Sequence, residues 1–391
     1  MPERLGRVLA PKVTERKQAD EVARRLGDLP IRHVDWTLIA ITLFLVGFGM
    51  LTLYSATHGD IDGNPTYYVM RTAINLLLGL VIMVAMMSFD YRRLKVATPF
   101  VYGAFLVFLL LVFLFEKVMG SARWISLGSL NLQPSEFCKL VLILALANFF
   151  SDNKAEPDSF RSFIIPVAWA APFMLLVFLQ PDLGTTLVLA AILLGMLFLV
   201  GCRMRYWLSF VGIGVLGFTF GFVFNIFQPY QVERFMAFIK QGSNIQEAGY
   251  HLLQSKIAIG SGQFVGKGLM QGTQTNLDFI PAHHTDFVFA VIGEEMGLLG
   301  ALVLIGVFCL LLWRGVRIAN NARDFYGTMI AFGIVIMFAF QIVVNIGMTI
   351  GIMPITGITL PFISYGGSSL MVSLAAIGLL TNIHMRRFSQ I

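Results

Sequence analysis

Ten separate stretches of this chain are apolar over about the length that a membrane-crossing helix requires, and no other feature constrains its fold as strongly. A helical crossing takes about 20 apolar residues. Such runs lie at 37–57, 72–89, 97–115, 137–151, 163–180, 184–200, 207–226, 287–313, 326–350 and 367–385. The fourth run is the shortest and has room to start earlier. Composition agrees, with 57% hydrophobic and 13% charged residues, against roughly 45–50% and about 25% in soluble domains. A soluble globular enzyme, a disordered tail and a fibrous protein are excluded. The expected fold is an all-α polytopic membrane protein of about ten transmembrane helices. A charged segment, residues 1–35, precedes one membrane domain over 36–391. That segment lacks an apolar stretch, so no cleavable signal peptide is expected. No internal repeat is visible, so the inverted repeats of many transporters are not evident.

Lys and Arg set the expected orientation, because they concentrate in cytoplasmic loops. Arg4, Arg7, Lys12, Arg16, Lys17, Arg24, Arg25 and Arg32 precede the first span. Alternate loops then carry Arg92, Arg93 and Lys95; Lys154 and Arg161; Arg203 and Arg205; and Arg314, Arg317 and Arg323. Arg386 and Arg387 close the chain on the same side. The opposite side holds Lys117, Arg123 and the few basic residues of one long loop. Both termini are therefore expected to be cytoplasmic. The net charge of +6 follows the membrane rule, and a nucleic-acid reading loses its support. Cys138, Cys202 and Cys309 sit in apolar runs without a CxxC spacing. They read as core filler rather than disulfides or metal ligands.

Residues 227–285 form a connection of 59 residues between spans seven and eight, where most connections are short. The segment is rich in apolar side chains (Tyr250, Leu252, Leu253, Ile257, Ile259, Phe264, Leu269). It is expected to be a large ordered extracytoplasmic loop, to contain short amphipathic or re-entrant helices, and to pack on the membrane face.

Ionisable groups inside spans cost about 2.5–3.5 kcal/mol each on insertion scales, so each is a functional candidate. Glu136 and Lys139 share one helix face at i and i+3, either as a structural ion pair or as the lining of a polar cavity. Asp182, in Gln180-Pro181-Asp182-Leu183-Gly184-Thr185, reads as a cap for span six at Thr185 or Thr186 or as a cavity-facing carboxylate. Asp286, in His283-His284-Thr285-Asp286-Phe287, reads as an N-cap or as a base at the mouth of span eight. The paired histidines suggest metal only weakly, since neighbouring side chains diverge. Glu294 and Glu295 lie eight and nine residues on, about 12 Å deeper at 1.5 Å per residue. They are expected to be partly protonated or bonded to a neighbouring helix. Arg71, Arg123 and Trp124 belong to the outer side. Arginine suits phosphate, and tryptophan is commonly an interfacial anchor. Residues 260–268, with four glycines, can cradle phosphate through N–H groups, with Lys256 and Lys267 as nearby cations. Gln341 and Asn345, at i and i+4, read as hydrogen-bond glue between helices. Ser364, in Ser364-Tyr365-Gly366-Gly367-Ser368-Ser369, lies in a polar approach to span ten and reads as part of a hinge or a site.

These motifs, taken in order, resemble the SEDS family (shape, elongation, division and sporulation). The matching strings are Arg123-Trp124-Ile125, Gln133-Pro134-Ser135-Glu136-Phe137-Cys138-Lys139, the 180–185 segment, Gln254 through Gly262, His284 through Ala290, Gly293-Glu294-Glu295 and Leu360 through Ser369. The run from Gln254 to Phe279, with Gly272-Thr273-Gln274-Thr275, looks more like the elongation branch, RodA, than the division branch, FtsW. The resemblance implies a peptidoglycan glycosyltransferase that polymerises lipid II at the outer face of the cytoplasmic membrane. It carries the family's essential loop aspartate onto Asp286 as the base. Arg71, Arg123, Lys256 or a divalent cation would then supply positive charge to the leaving pyrophosphate, while Glu136 and Lys139 would shape the cavity floor with Asp182 near them. It also implies a class B penicillin-binding partner, a single-span transpeptidase, within an elongation complex that includes MreB. No metal cage is legible, which leaves a divalent cation such as Mg²⁺ as an open cofactor. A lipid II flippase is the alternative that Lys139, Glu294 and Glu295 keep alive; a scaffold without chemistry would not need such costly residues.

Overall fold

A computed structural model describes residues 33–57, 66–114, 123–127, 130–152, 160–239, 247–277, 279 and 284–387. The basic segment before residue 33, Lys117, Lys154 and His283 lie outside the described residues. The chain runs α1 (Trp36–Thr57), α2 (Thr66–Ser88), α3 (Tyr91–Val112), β1 (Ile125–Leu127), β2 (Leu130–Leu132), α4 (Pro134–Asp152), α5 (Phe160–Leu179), α6 (Leu183–Leu199) and α7 (Met204–Val223). It continues through α8 (Pro229–Ile239), α9 (Glu247–Ser261), α10 (Thr273–Asn276), α11 (Val288–Asn320), α12 (Phe325–Thr349) and α13 (Gly367–Met385). Among the described residues, nine helices are long and apolar enough to cross a bilayer; α6 is apolar but has 17 residues. With α6 the spans number ten, as the sequence leads one to expect. The fourth starts at Pro134 and reaches 19 residues. Proline suits the first helical position, where its missing N–H has no partner to lose.

The bundle is ordered by burial. Helix α13 is buried from Ser368 to Met385; α2 packs along it, while α12 packs against α4, α6 and α11. Helix α7 touches the rest mainly through α6, and its sides are largely exposed, as suits a helix facing lipid. One departure from an all-α expectation is the hairpin β1–β2, with Ile125 opposite Leu132. It holds Arg123 and Gln133 close to the bundle end.

The long connection is folded, and it supplies α8, α9 and α10. Leu252 and Ala258 of α9 are buried against Phe287 and Ala290 of the α11 start, and Met348 and Ile355 complete a small apolar cluster. The connection also locks into a break in α11. That helix has 33 residues with Gly297 at φ 63, too long for one crossing at 1.5 Å per residue. Gly297 thus divides α11 into a short piece before the break and a longer one after it. Free groups at the break are taken by the loop: Lys267 N–H donates to Glu294 O (3.0 Å), Gly268 N–H to Glu295 O (2.9 Å), and Leu298 N–H to Gln263 O (2.9 Å). Close approach explains two glycines. A Cβ on Gly266, at φ +86, would lie 2.2 Å from Glu295 O, and one on Gly297 would lie 2.4 Å from Gly266 N. Gly266→Val should therefore destabilise the fold by about 3 kcal/mol through overpacking and left-handed strain. Thermal unfolding of the purified protein in detergent checks this; an unchanged midpoint would show that the loop is not clamped there.

Candidate active site

At the loop-bearing end of the bundle, two carboxylates and two guanidinium groups converge. Asp182 sits in the α5–α6 turn, where Pro181 and the start of α6 bend the chain. It caps α6, accepting from Thr185 N–H (3.1 Å) and Thr185 Oγ1 (2.9 Å). Its Oδ2 also accepts from Gln133 Nε2 (3.0 Å) and Ser135 Oγ (3.3 Å) at the head of α4. The capping reading of Asp182 holds, and the cap is itself buried. Arg123 fastens the hairpin to this turn. Its Nε donates to Gln180 O (2.8 Å), and Nη2 donates to Pro181 O and to Tyr230 Oη (2.8 Å).

Asp286 lies opposite. It is not the cap of α11: that position is Phe287, which makes no side-chain cap bond. Its carboxylate faces the guanidinium of Arg234 across Gly357. A Cβ on Gly357, at φ +73, would stand 3.3 Å from Arg234 Nη1 and 3.5 Å from Asp286 Oδ2. The site therefore needs glycine there twice, for space and for backbone conformation. Burial pushes the Asp286 carboxyl above the ordinary carboxylate range; Arg234 opposes that push, Asp182 adds to it, and Arg123 opposes it more weakly. Asn345 of α12 holds the backbone in place, with Nδ2 donating to Asp286 O (3.0 Å) and Ile358 O (2.8 Å). It is a strut for the site rather than only glue between helices. Gln341 is buried one turn earlier.

The family model for the FtsW, RodA and SpoVE cell cycle proteins matches residues 35–388. The chain belongs to the SEDS family. Peptidoglycan glycosyltransferase MrdB of Escherichia coli is 38% identical over 91% of this chain and 94% of its own length. A probable peptidoglycan glycosyltransferase FtsW of Trichlorobacter lovleyi is also 38% identical, over 90% and 93%. Among solved structures, a chain of a peptidoglycan synthase complex that coordinates polymerization and crosslinking matches with TM-score 0.76 at 31% identity, covering 91% of this chain and 99% of that one. The rod shape determining protein RodA of Thermus thermophilus matches with TM-score 0.67 at 31% identity, covering 91% and 98%. A multi-pass inner-membrane fold follows.

The remaining candidates of this SEDS chain divide by place. Glu136 and Lys139 form a buried ion pair on α4 (2.6 Å). Glu294 accepts from Lys267 Nζ (2.7 Å), Thr273 Oγ1 (3.2 Å) and Gln274 N–H (3.0 Å). Glu295 accepts from Ser55 Oγ of α1 (2.6 Å). Glu294 and Glu295 thus fasten the loop and α1 to α11, whereas the Glu136–Lys139 pair lies within α4. The N–H groups of Lys267 and Gly268 are spent on α11 carbonyls, so the glycine-rich run is a clamp there and not an open phosphate cradle. Lys256 lies against Gly351, where a Cβ would meet its Cε at 2.1 Å. Trp124 is half-buried beside Arg123. Arg71 lies 4.6 Å over the Tyr67 ring, and Ser364 Oγ accepts from Leu360 N–H (2.8 Å). Neither Arg71 nor Ser364 contacts the Asp286 cluster in these bonds.

Sequence reading missed Arg234, whose only signal was its place four residues after Tyr230, on the same face of a Pro-started helix. Among the described residues, no group of three His, Cys, Asp or Glu side chains is arranged to hold a metal. Asp182 already accepts from four donor atoms, and Asp286 faces a guanidinium. That donor set does not fit a protein-held divalent cation.

Proposed function

We propose that the chain is a peptidoglycan glycosyltransferase that polymerises lipid II into β-1,4-linked strands at the outer face of the membrane during cell elongation. The observation that carries the mechanism is the half-buried Asp286 carboxylate facing Arg234, with the charges of Arg123 and Asp182 acting on it. The acceptor GlcNAc 4-hydroxyl attacks C1 of the donor MurNAc. A C1–O4 bond forms while the C1–phosphate oxygen bond breaks, with inversion. Asp286 takes the hydroxyl proton, and undecaprenyl pyrophosphate leaves with the bonding pair. Arg123 and Arg234 are the cations this reading assigns to the charge that develops on that leaving group, the kind of stabilisation that lowers such barriers most. Asp182 keeps in place the turn to which Arg123 is fastened.

The distribution of Lys and Arg supports cytoplasmic termini and an outward site. A single-span, class B penicillin-binding protein is the partner this reading assigns. The likeness to a peptidoglycan synthase complex supports that pairing, with MreB and shape proteins in the wider assembly. The likeness to RodA favours elongation over division.

Purified lipid II, supplied to the reconstituted complex with a partner that lacks glycosyltransferase activity, tests the reading. Glycan strands are expected. Lipid II crossing between leaflets with no strands would replace the polymerase by a flippase.

A pH profile gives a second check. Asp286 acts deprotonated, and its raised pKa places the acidic limb of kcat/KM above the range of an ordinary carboxylate, about 3.9. Arg234 lowers that pKa, so Arg234→Gln should move the limb to higher pH as well as slow the reaction. A limb that stays put would show that another group titrates.

A further inference from the structure

Asp286 and Arg234 both face Gly357, yet Arg234 acts on the carboxyl by charge alone, with no hydrogen bond between them. A guanidinium and a carboxylate this close ordinarily pair, because the planar fork matches both carboxylate oxygens. The chain between α12 and α13 supplies the obstacle. Ile355 sits in the apolar cluster with Phe287 and Met348. Thr356 O is pressed to the head of α6, where a Cβ on Gly184 would stand 2.7 Å from it. Ile358 is buried, and its carbonyl accepts from Asn345 Nδ2 (2.8 Å). Gly357, between these pins, is the residue that meets both charges.

Asn345 sets where this segment stands. It is fully buried, and the same Nδ2 that holds Ile358 O also donates to Asp286 O (3.0 Å). One amide therefore ties the 355–358 segment to the segment that carries the carboxyl. The amide nitrogen has to be the atom placed there, since an oxygen would meet two acceptors. The other charges acting on the carboxyl are Asp182 of the α5–α6 turn and Arg123 ahead of β1, and each is fixed by its own hydrogen bonds. The His284 ring packs on Tyr68 and Tyr365. The Arg234 guanidinium has only a ring contact, 5.6 Å from the Tyr230 centroid, so it is the charge able to swing. Contact with it would make Asp286 a weaker base and would spend the donors that an anionic leaving group needs.

We propose that residues 355–358 are a spacer that keeps Asp286 and Arg234 out of contact, and that Asn345 is the positioning residue that sets it. The inference rests on the reading of Asp286 as the base but is tested without turnover. The Asp286 carboxyl band is isolated as the infrared difference between each full chain and its Asp286→Asn counterpart, and is titrated without lipid II. In Asn345→Ala the spacer is released and the two groups close. The carboxyl should then bind its proton about tenfold more weakly than in the native chain, because a contacting cation favours the charged form. With Arg234→Gln added, that fall should vanish, and the titration should match Arg234→Gln alone. A loss of packing without a spacer role would not produce this dependence on Arg234. A midpoint unmoved or raised in Asn345→Ala, or a fall that persists without Arg234, overturns the proposal. Should Asn345→Ala fold poorly, Asn345→Ser, whose hydroxyl can donate to one of the two carbonyls, is titrated in its place, and the same outcomes decide. A native chain that made no strands would sink the polymerase reading and leave this titration standing.

Discussion

Asp286→Asn should lose strand synthesis by about 10²–10⁴-fold, the usual contribution of a positioned base. The change is nearly isosteric. The strut from Asn345 reaches the backbone carbonyl of residue 286 and not its side chain, so the loop should stay in place and folded yield should hold. Asp286→Ala should lose as much. Activity is read as strand length and amount from purified lipid II, at equal folded protein. Near-native synthesis by the Asn variant would remove Asp286 from proton transfer. Asp182 would be a poor substitute, because four donor atoms already occupy its carboxylate.

The second large effect concerns stability. Lys139→Met removes one half of an ion pair whose members, Lys139 and Glu136, are 1% and 8% exposed. It leaves the Glu136 carboxylate buried without its charge partner, which typically costs about 3–5 kcal/mol. The thermal midpoint in detergent should fall steeply. The double change Glu136→Leu with Lys139→Met should recover most of the loss, since apolar replacement of a whole buried pair is often neutral. A single variant as stable as the native chain would mean that water or another group satisfies Glu136, and that the pair belongs to a wet cavity after all.

Much of this architecture was legible because membrane crossings are set by apolar length alone, and the ten runs map onto α1–α7 and α11–α13. Glu136 and Lys139 were legible for a similar reason: helical spacing fixes which side chains meet. Long-range contacts were not. Arg234 sits more than fifty residues before Asp286, and only the fold of α8 against Gly357 brings them together. The glycine-rich run misled because local sequence shows available N–H groups but not the carbonyls of α11 that take them. The break at Gly297 was hidden for the same reason. A glycine within an apolar run reads as helix until something is found threaded against it. Asp286 as a cap failed on a one-residue offset, with Phe287 in the cap position.

That break has a mechanical consequence. Residues 288–296 form a stiff arm with Asp286 near its tip and Gly297 as its fulcrum. The arm is about 13 Å long at 1.5 Å per residue, so a swing of about 10° at the fulcrum carries the tip about 2 Å. A misplacement of about 1 Å can cost roughly a hundredfold in rate. The far portion of α11 exposes Leu298, Leu299, Leu302 and Val303 immediately beyond the fulcrum. A tilt of that surface about Gly297 would carry the base with it, and the 262–268 segment packed against the break would resist it.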